Sequence, residues 1–225
     1  MSALDAIVLD LDDTLYDTTG LLLPWADRRA AAAMREAGLP FEEDEVLRRI
    51  RSLRAGGSVG FFAEIARAAG VPASCAEAGE AAWLVYDPPQ MELDDDVESA
   101  LDELAALAPL ALLTTGHPPT QRKKVERLGI AGRFVACGFV DFKDAGGKTD
   151  ALRALIAERE WAPERTVMCG DRPDGDVLAG NRNGCLSVLV RRAGTEFASV
   201  ATDSPELTPW RTIGHVRELA ALLRS

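Results

Sequence analysis

Four carboxylates fall within the eight residues Asp10 to Asp17 (DLDDTLYD), directly after the apolar run Ala6-Ile7-Val8-Leu9. Like charges this crowded are costly unless a cation or a proton separates them, so the cluster asks for a divalent metal, a shared proton, or both. A second acidic group stands in GDRPDGD, at Asp171, Asp174 and Asp176. The remaining chemistry-bearing residues are a hydroxyl, Thr114 in LLTTG, and Lys148, in a chain whose only lysines are Lys123, Lys124, Lys143 and Lys148. Carboxylates, a hydroxyl and a lysine brought to one place make a hard-cation site with an anion-binding side, as phosphate chemistry requires.

The elements that must position these groups alternate. Short apolar runs at Ala6–Leu9, Pro109–Leu113, Val135–Val140, Thr166–Cys169 and Leu186–Val190 read as buried strands. Between them lie helical patterns over about Asp95–Ala108, Pro119–Leu128, Lys148–Glu160 and Gly175–Asn183, and a last one covers about Ile213–Leu223. Strands alternating with helices predict a parallel sheet with right-handed crossovers, whose strands deliver functional groups at their carboxyl ends. The first strand would then deliver Asp10 and Asp12, the second Thr114, and the fourth Asp171, followed by Asp174 and Asp176. Residues 18–90 break this alternation with helical patterns at about Pro24–Ala37, Glu42–Leu53, Ser58–Ala69 and Ala73–Tyr86, punctuated by Gly56-Gly57 and closed by Asp87-Pro88-Pro89. The expected organisation is an α/β fold: a Rossmann-like three-layer core with a parallel sheet formed by 1–17 and 91–225, and a small all-helical cap, 18–90, inserted after the first strand as a separate lid.

With 225 residues, 47% hydrophobic and 27% charged, the chain has the composition of an ordinary soluble globular protein. A formal net charge of -11 argues against an electrostatic grip on nucleic acid or an anionic membrane, and leaves small polar substrates open. Nothing in Met1-Ser2-Ala3-Leu4-Asp5 has the basic n-region of a signal peptide, and no apolar run approaches membrane-spanning length. Cys75, Cys137, Cys169 and Cys185 are dispersed, without metal-knuckle or redox-pair spacing, and read as free thiols of a cytoplasmic protein.

These four stations, DLDDT, LLTTG, a lysine and GDRPDGD, resemble the motifs of the haloacid dehalogenase-like hydrolases, over nearly the whole chain, and a helical insertion between the first two resembles that family's α-helical C1-type cap. The resemblance implies an Mg2+-dependent phosphohydrolase that acts on a small phosphorylated metabolite through an aspartyl-phosphate intermediate. Asp10 would be the nucleophile, and Asp12 first the general acid toward the leaving oxygen and then the general base for water. Mg2+ would be held by the Asp10 carboxylate, the Asp12 backbone carbonyl and Asp171. Thr114, the following amides and Thr115 would bind phosphate, Lys148 would neutralise it, and Asp176 would steady the lysine or the metal's waters. Thr115 stands where the pattern often has Asn, and Gly175 precedes Asp176 where Asn is common. Lys148 opens a helical pattern at the expected distance before Gly170-Asp171, which places it ahead of Lys143 as the phosphate lysine.

Other readings of the same residues are bounded. Asp13 and Asp174 fit turns, His117 fits a solvated loop, Tyr16 fits the hinge into the helical segment or its pocket, and the arginines between Arg28 and Arg54 fit the wet faces of helices. A haloacid dehalogenase has no need of an acid two residues after its nucleophile, and a phosphonoacetaldehyde hydrolase needs a lysine in the cap, where this chain has none. A sugar-phosphate mutase shares the core. A phosphometabolite-binding or regulatory protein without turnover would be expected to have lost Asp10, Asp12 or Asp171.

Overall fold

The computed structural model describes residues 3–55, 58, 60–84 and 91–225. The Gly56-Gly57 break, the Asp87-Pro88-Pro89 stop and the last two residues of the helix expected to end at Tyr86 lie outside them. Contacts divide the chain into two units, Met1–Thr18 with Gln90–Ser225, and Thr19–Pro89.

The larger unit begins with β1 (Ala6–Leu9), four fully enclosed residues of which Ile7 and Val8 favour extended backbone. The helical unit carries α1 (Leu23–Glu36), α2 (Glu43–Ala55), α3 (Phe61–Ala69) and α4 (Ala73–Leu84). Pro24 sits in the first turn of α1, where its missing N–H costs nothing, and Gly70 ends α3 in the left-handed conformation that only glycine adopts freely. These helices enclose a core of their own, in which Met34, Val46, Ile50, Phe62, Ile65 and Cys75 meet. Arg48 and Arg49 lie along the outside of α2 with Glu45, as expected of a wet face. Arg54 differs: it donates to the buried carboxylate of Asp27, which also accepts from Trp83 Nε1 at 3.2 Å.

The larger unit then continues as α5 (Asp95–Ala105), β2 (Leu110–Gly116), α6 (Pro118–Arg127), β3 (Ala136–Asp141), α7 (Gly147–Glu158), β4 (Thr166–Gly170), α8 (Leu178–Arg182), β5 (Leu186–Val190), β6 (Arg211–Ile213) and α9 (Leu219–Arg224). Asp95, Asp96 and Glu98 in the first turn of α5 complement its dipole. All six strands are parallel, in the order β3-β2-β1-β4-β5-β6, a Rossmann-like α/β sheet. Val8, Ala111, Leu113 and Met168 point to the face covered by Leu152 and Ile156 of α7 and Ala179 of α8. Because β1 is central and Leu9 is level with Leu112 and Cys169, the residues that follow on β1, β2 and β4 emerge side by side.

Two expectations need correction. The sheet has a sixth strand, and Ile213, read as the start of the last helix, ends it; β6 is three residues long with Arg211 and Thr212 exposed, too short and too polar on its free side to show as an apolar run. The helix expected from Gly175 begins as a wide turn over Pro173–Val177 and becomes α-helical only at Leu178. The second strand ends in Thr114-Thr115-Gly116 as expected, with Leu113 to Gly116 paired with Gly138 to Asp141. Among the described residues no helix is long and apolar enough to cross a membrane, and Cys75, Cys137, Cys169 and Cys185 are free thiols, all but Cys137 buried.

Ile7 is fully enclosed in the central strand. Ile7→Ala should therefore lower unfolding free energy by about 2–5 kcal/mol, read as a lower urea midpoint with unchanged slope.

Candidate active site

Asp10 follows Leu9 directly, and its backbone N–H donates to the Cys169 carbonyl at 2.9 Å, so the pairing of β1 with β4 holds one residue past the strand. The chain then folds back tightly. Asp13 takes φ +56°, a conformation that aspartate tolerates better than most residues, its N–H donates to the Tyr16 carbonyl at 2.7 Å, and the N–H groups of Leu15 and Tyr16 close on the Leu11 carbonyl. At the neighbouring exit of β4, Asp176 packs on Gly170: a Cβ on that glycine would stand 2.2 Å from the Asp176 carboxyl carbon. Glycine is required at position 170 for this reason.

Lys148, the second residue of α7, joins the two exits. Its Nζ donates to Asp10 Oδ1 at 2.8 Å and to Asp176 Oδ1 at 2.5 Å, and Asp176 Oδ2 accepts the Arg172 N–H at 2.9 Å. Lys143 lies elsewhere, in an exposed loop with its ammonium 5.4 Å from the centre of the Phe142 ring. Asp10, Asp171 and Asp176 each bring a carboxylate oxygen within 4.8 Å of the others, all three residues being buried. Among the described residues Asp171 Oδ2 has no hydrogen-bond partner although it is buried.

The charges are out of balance: three enclosed carboxylates share the Lys148 ammonium, and the Arg172 cation that also acts on Asp176 and Asp10 is itself paired with Asp174. Burial, with Asp176 and Asp12 adding repulsion, overcomes Lys148 and pushes the Asp10 carboxyl up to about 7. Burial, then Asp10 and Asp176, push Asp171 up to about 9. Burial alone would depress the Lys148 ammonium, but Asp10 and Asp176 outweigh it and hold the group above its ordinary range. The site fits a divalent cation: its donors are hard oxygens, their charge is only partly compensated, and among the described residues one acceptor is unclaimed. The neighbouring Cys169 thiol is pushed up by burial and by the same three carboxylates, which leaves it inert as a nucleophile.

Asp12 belongs to a different set of contacts. Its Oδ1 accepts from Lys124 Nζ at 2.6 Å and from the Thr18 hydroxyl, and its Oδ2 accepts from Gln121 Nε2 at 2.7 Å. Burial works against ionisation there, but Lys124, Thr18 and Gln121 outweigh it and hold the carboxyl below its usual range. Gln121 Nε2 also lies 2.6 Å from Thr114 Oγ1 and 3.3 Å from the Thr115 carbonyl. An acceptor toward Gln121, the Thr114 hydroxyl retains its own proton to donate. His117 Nδ1 pairs with Thr120 Oγ1 at 2.9 Å, and Asp174 pairs with Arg172.

The structure thus brings Asp10, Asp171, Asp176 and Lys148 into one group and Asp12, Thr114 and Thr115 into a second, linked by Gln121. Gln121, Lys124 and Thr18 were not among the residues singled out from sequence. A signal for the first two exists: Gln121, Lys124, Val125 and Leu128 follow i, i+3, i+4, i+7 spacing, and all four are buried, so two polar residues stand on a core-facing stripe.

A parallel α/β core with an acidic cluster at the carboxyl ends of its central strands defines a class of enzyme scaffold. The sequence model described as haloacid dehalogenase-like hydrolase matches residues 4–184, and the chain belongs to that family. It is 29% identical to a glyceraldehyde 3-phosphate phosphatase of Methanopyrus kandleri, over 97% of each chain. It is 32% identical to a phosphoserine phosphatase of Thermus thermophilus over 112 residues, 49% of this chain; the matched part spans 42% of that protein, less than half its length. In fold it is similar to the magnesium-bound HAD-hydrolase YfnB of Bacillus subtilis, with a TM-score of 0.70, 17% identity, and 99% and 100% of the two chains covered.

A carboxyl raised in the folded state gives stability that is complete below its unfolded value of 3.8 and is lost as pH rises through the folded value. With a chelator present, the melting temperature of the wild type should fall between pH 5 and pH 9, and Asp171→Asn should melt higher than wild type at pH 8. Addition of Mg2+ should recover the wild type and not the variant. A lower melting temperature for the chelated variant at pH 8 would contradict this account.

Proposed function

We propose that the chain is a Mg2+-dependent phosphohydrolase that cleaves a small phosphate monoester through a phosphorylated Asp10. The observation that carries this reading is the enclosed trio Asp10, Asp171 and Asp176, bridged by the Lys148 ammonium and, among the described residues, with Asp171 Oδ2 unclaimed. Asp10, Asp171 and the Asp12 backbone carbonyl would hold the ion, with Asp176 steadying Lys148. Bound there, it would offset the repulsion between an anionic nucleophile and an anionic phosphate and stabilise charge on the transferring oxygens.

The remaining work falls to side chains. An Asp10 oxygen attacks phosphorus, the bond from phosphorus to the leaving oxygen breaks, and that oxygen takes a proton from Asp12. Water then attacks the same phosphorus, gives its proton to Asp12, and releases Asp10 and inorganic phosphate. Thr114, with its free O–H, binds a phosphate oxygen, and Lys148 moderates its charge. An acid placed two residues after the nucleophile favours an ester oxygen, which needs a proton on departure, over a halide, which does not. The phosphatases among the relatives support the same bond and suggest phosphoserine and glyceraldehyde 3-phosphate as first substrates to try. The helical segment 18–90 is assigned the part of the cap, on its place of insertion.

Purified protein should release phosphate from p-nitrophenyl phosphate only with Mg2+, and Asp10→Asn should abolish release. With an alkyl phosphate ester, both half-reactions of Asp12→Ala should slow by about 10²–10⁴-fold, so that whatever phosphoenzyme forms persists in acid-quench trapping. Binding of Mg2+ and phosphate without turnover on a broad panel of phosphate esters would favour a regulatory binding protein instead. Exchange of residues 18–90 for the corresponding segment of a relative should change which esters are used, and an unchanged preference would remove the cap assignment.

A further inference from the structure

Lys124 and Gln121 lie outside the four motif stations, yet both reach one carboxylate. They occupy the inward stripe of α6, where Val125 and Leu128 are apolar, and both are more than nine-tenths buried. Burying an ammonium is costly, and an apolar residue there would serve packing better. The two side chains converge on opposite oxygens of Asp12: Lys124 Nζ on Oδ1 at 2.6 Å, Gln121 Nε2 on Oδ2 at 2.7 Å. A carboxylate at a strand exit held by one bond can turn about its side-chain torsions; donors on both oxygens fix its rotamer and its plane. Gln121 further ties that carboxylate to Thr114 Oγ1, across the exits of β1 and β2.

We propose that Lys124, with Gln121, is a positioning residue for the reaction: it holds the Asp12 carboxylate in the one orientation from which it exchanges a proton with the leaving oxygen and then with water. This rests on the phosphohydrolase reading above, with Asp12 as acid and base. Lys124 touches neither phosphate nor nucleophile in this role and acts only through Asp12. Misplacement of an acid by an ångström is enough to cost orders of magnitude in rate, so the effect falls on turnover and not on substrate affinity.

The test uses the full-length Mg2+-loaded enzyme with two substrates, p-nitrophenyl phosphate, whose leaving group departs without a proton, and glycerol phosphate, whose leaving group needs one. Lys124→Met should lower kcat about 10- to 100-fold with KM within about 2-fold of wild type. In single-turnover formation of the phosphoenzyme the loss should be greater with glycerol phosphate, and breakdown of the phosphoenzyme should slow equally after either substrate. Lys124→Arg, which keeps a cation, should recover most of the rate. In an Asp12→Ala background Lys124→Met should cost nothing more. Gln121→Leu removes the other donor without removing a charge and should also lower kcat, which keeps the question decidable if Lys124→Met does not fold.

A rise in KM with kcat preserved would make Lys124 a substrate ligand and overturn the proposal, as would a further loss from Lys124→Met in the Asp12→Ala background. Full activity of Lys124→Met alongside a crippled Asp12→Ala would sink the positioning role alone. Full activity of Asp12→Ala would take the acid/base assignment with it.

Discussion

One ammonium held between two strand exits sets the terms for the rest of the larger unit. Lys148 is buried, and it meets Asp10 from β1 and Asp176 from the turn after β4 with a single nitrogen. For that nitrogen to reach both oxygens, β1 and β4 must be adjacent, α7 must start at the same edge of the sheet, and position 170 must lack a side chain. Each condition is a packing fact. The hydrophobic faces of α7 and of the central strands, where Val8, Met168, Leu152 and Ile156 meet, fix the helix start to within the length of a lysine side chain.

The same constraint separates two kinds of acid. Asp10 and Asp171 are enclosed with too little positive charge and are driven toward protonation, whereas Asp12, one residue beyond Leu11, is surrounded by donors and driven the other way. Two carboxyl groups two residues apart thus acquire opposite tendencies from their surroundings. Divergent environments of this kind let a single residue type hold different protonation states within one site.

Much of this was legible in the sequence because strand exits are written in contiguous residues. Ala6–Leu9 before Asp10 and Thr166–Gly170 before Asp171 are unbroken buried runs, and the aspartates follow at once, so placing the strands places the acids. Lys148 was readable as the residue opening a helix. Gln121 and Lys124 were obscured because their partner is over a hundred residues away and their helix looks polar as a whole; only the four inward positions reveal the pattern. β6 escaped for the opposite reason, being an edge strand of three residues with two side chains exposed. Thr18 stands in a wide turn, where no periodicity guides the eye.

The pairing of Ile7 with Leu110 joins positions separated by the entire helical unit. A flexible loop of roughly a hundred residues makes such a pairing slow to find, because its closure entropy must be met before any ladder bond forms. The helical unit has its own core of Met34, Ile50, Phe62 and Ile65, built from neighbours in sequence. Once those helices condense, the tether between the first two strands shrinks to the span of a small bundle.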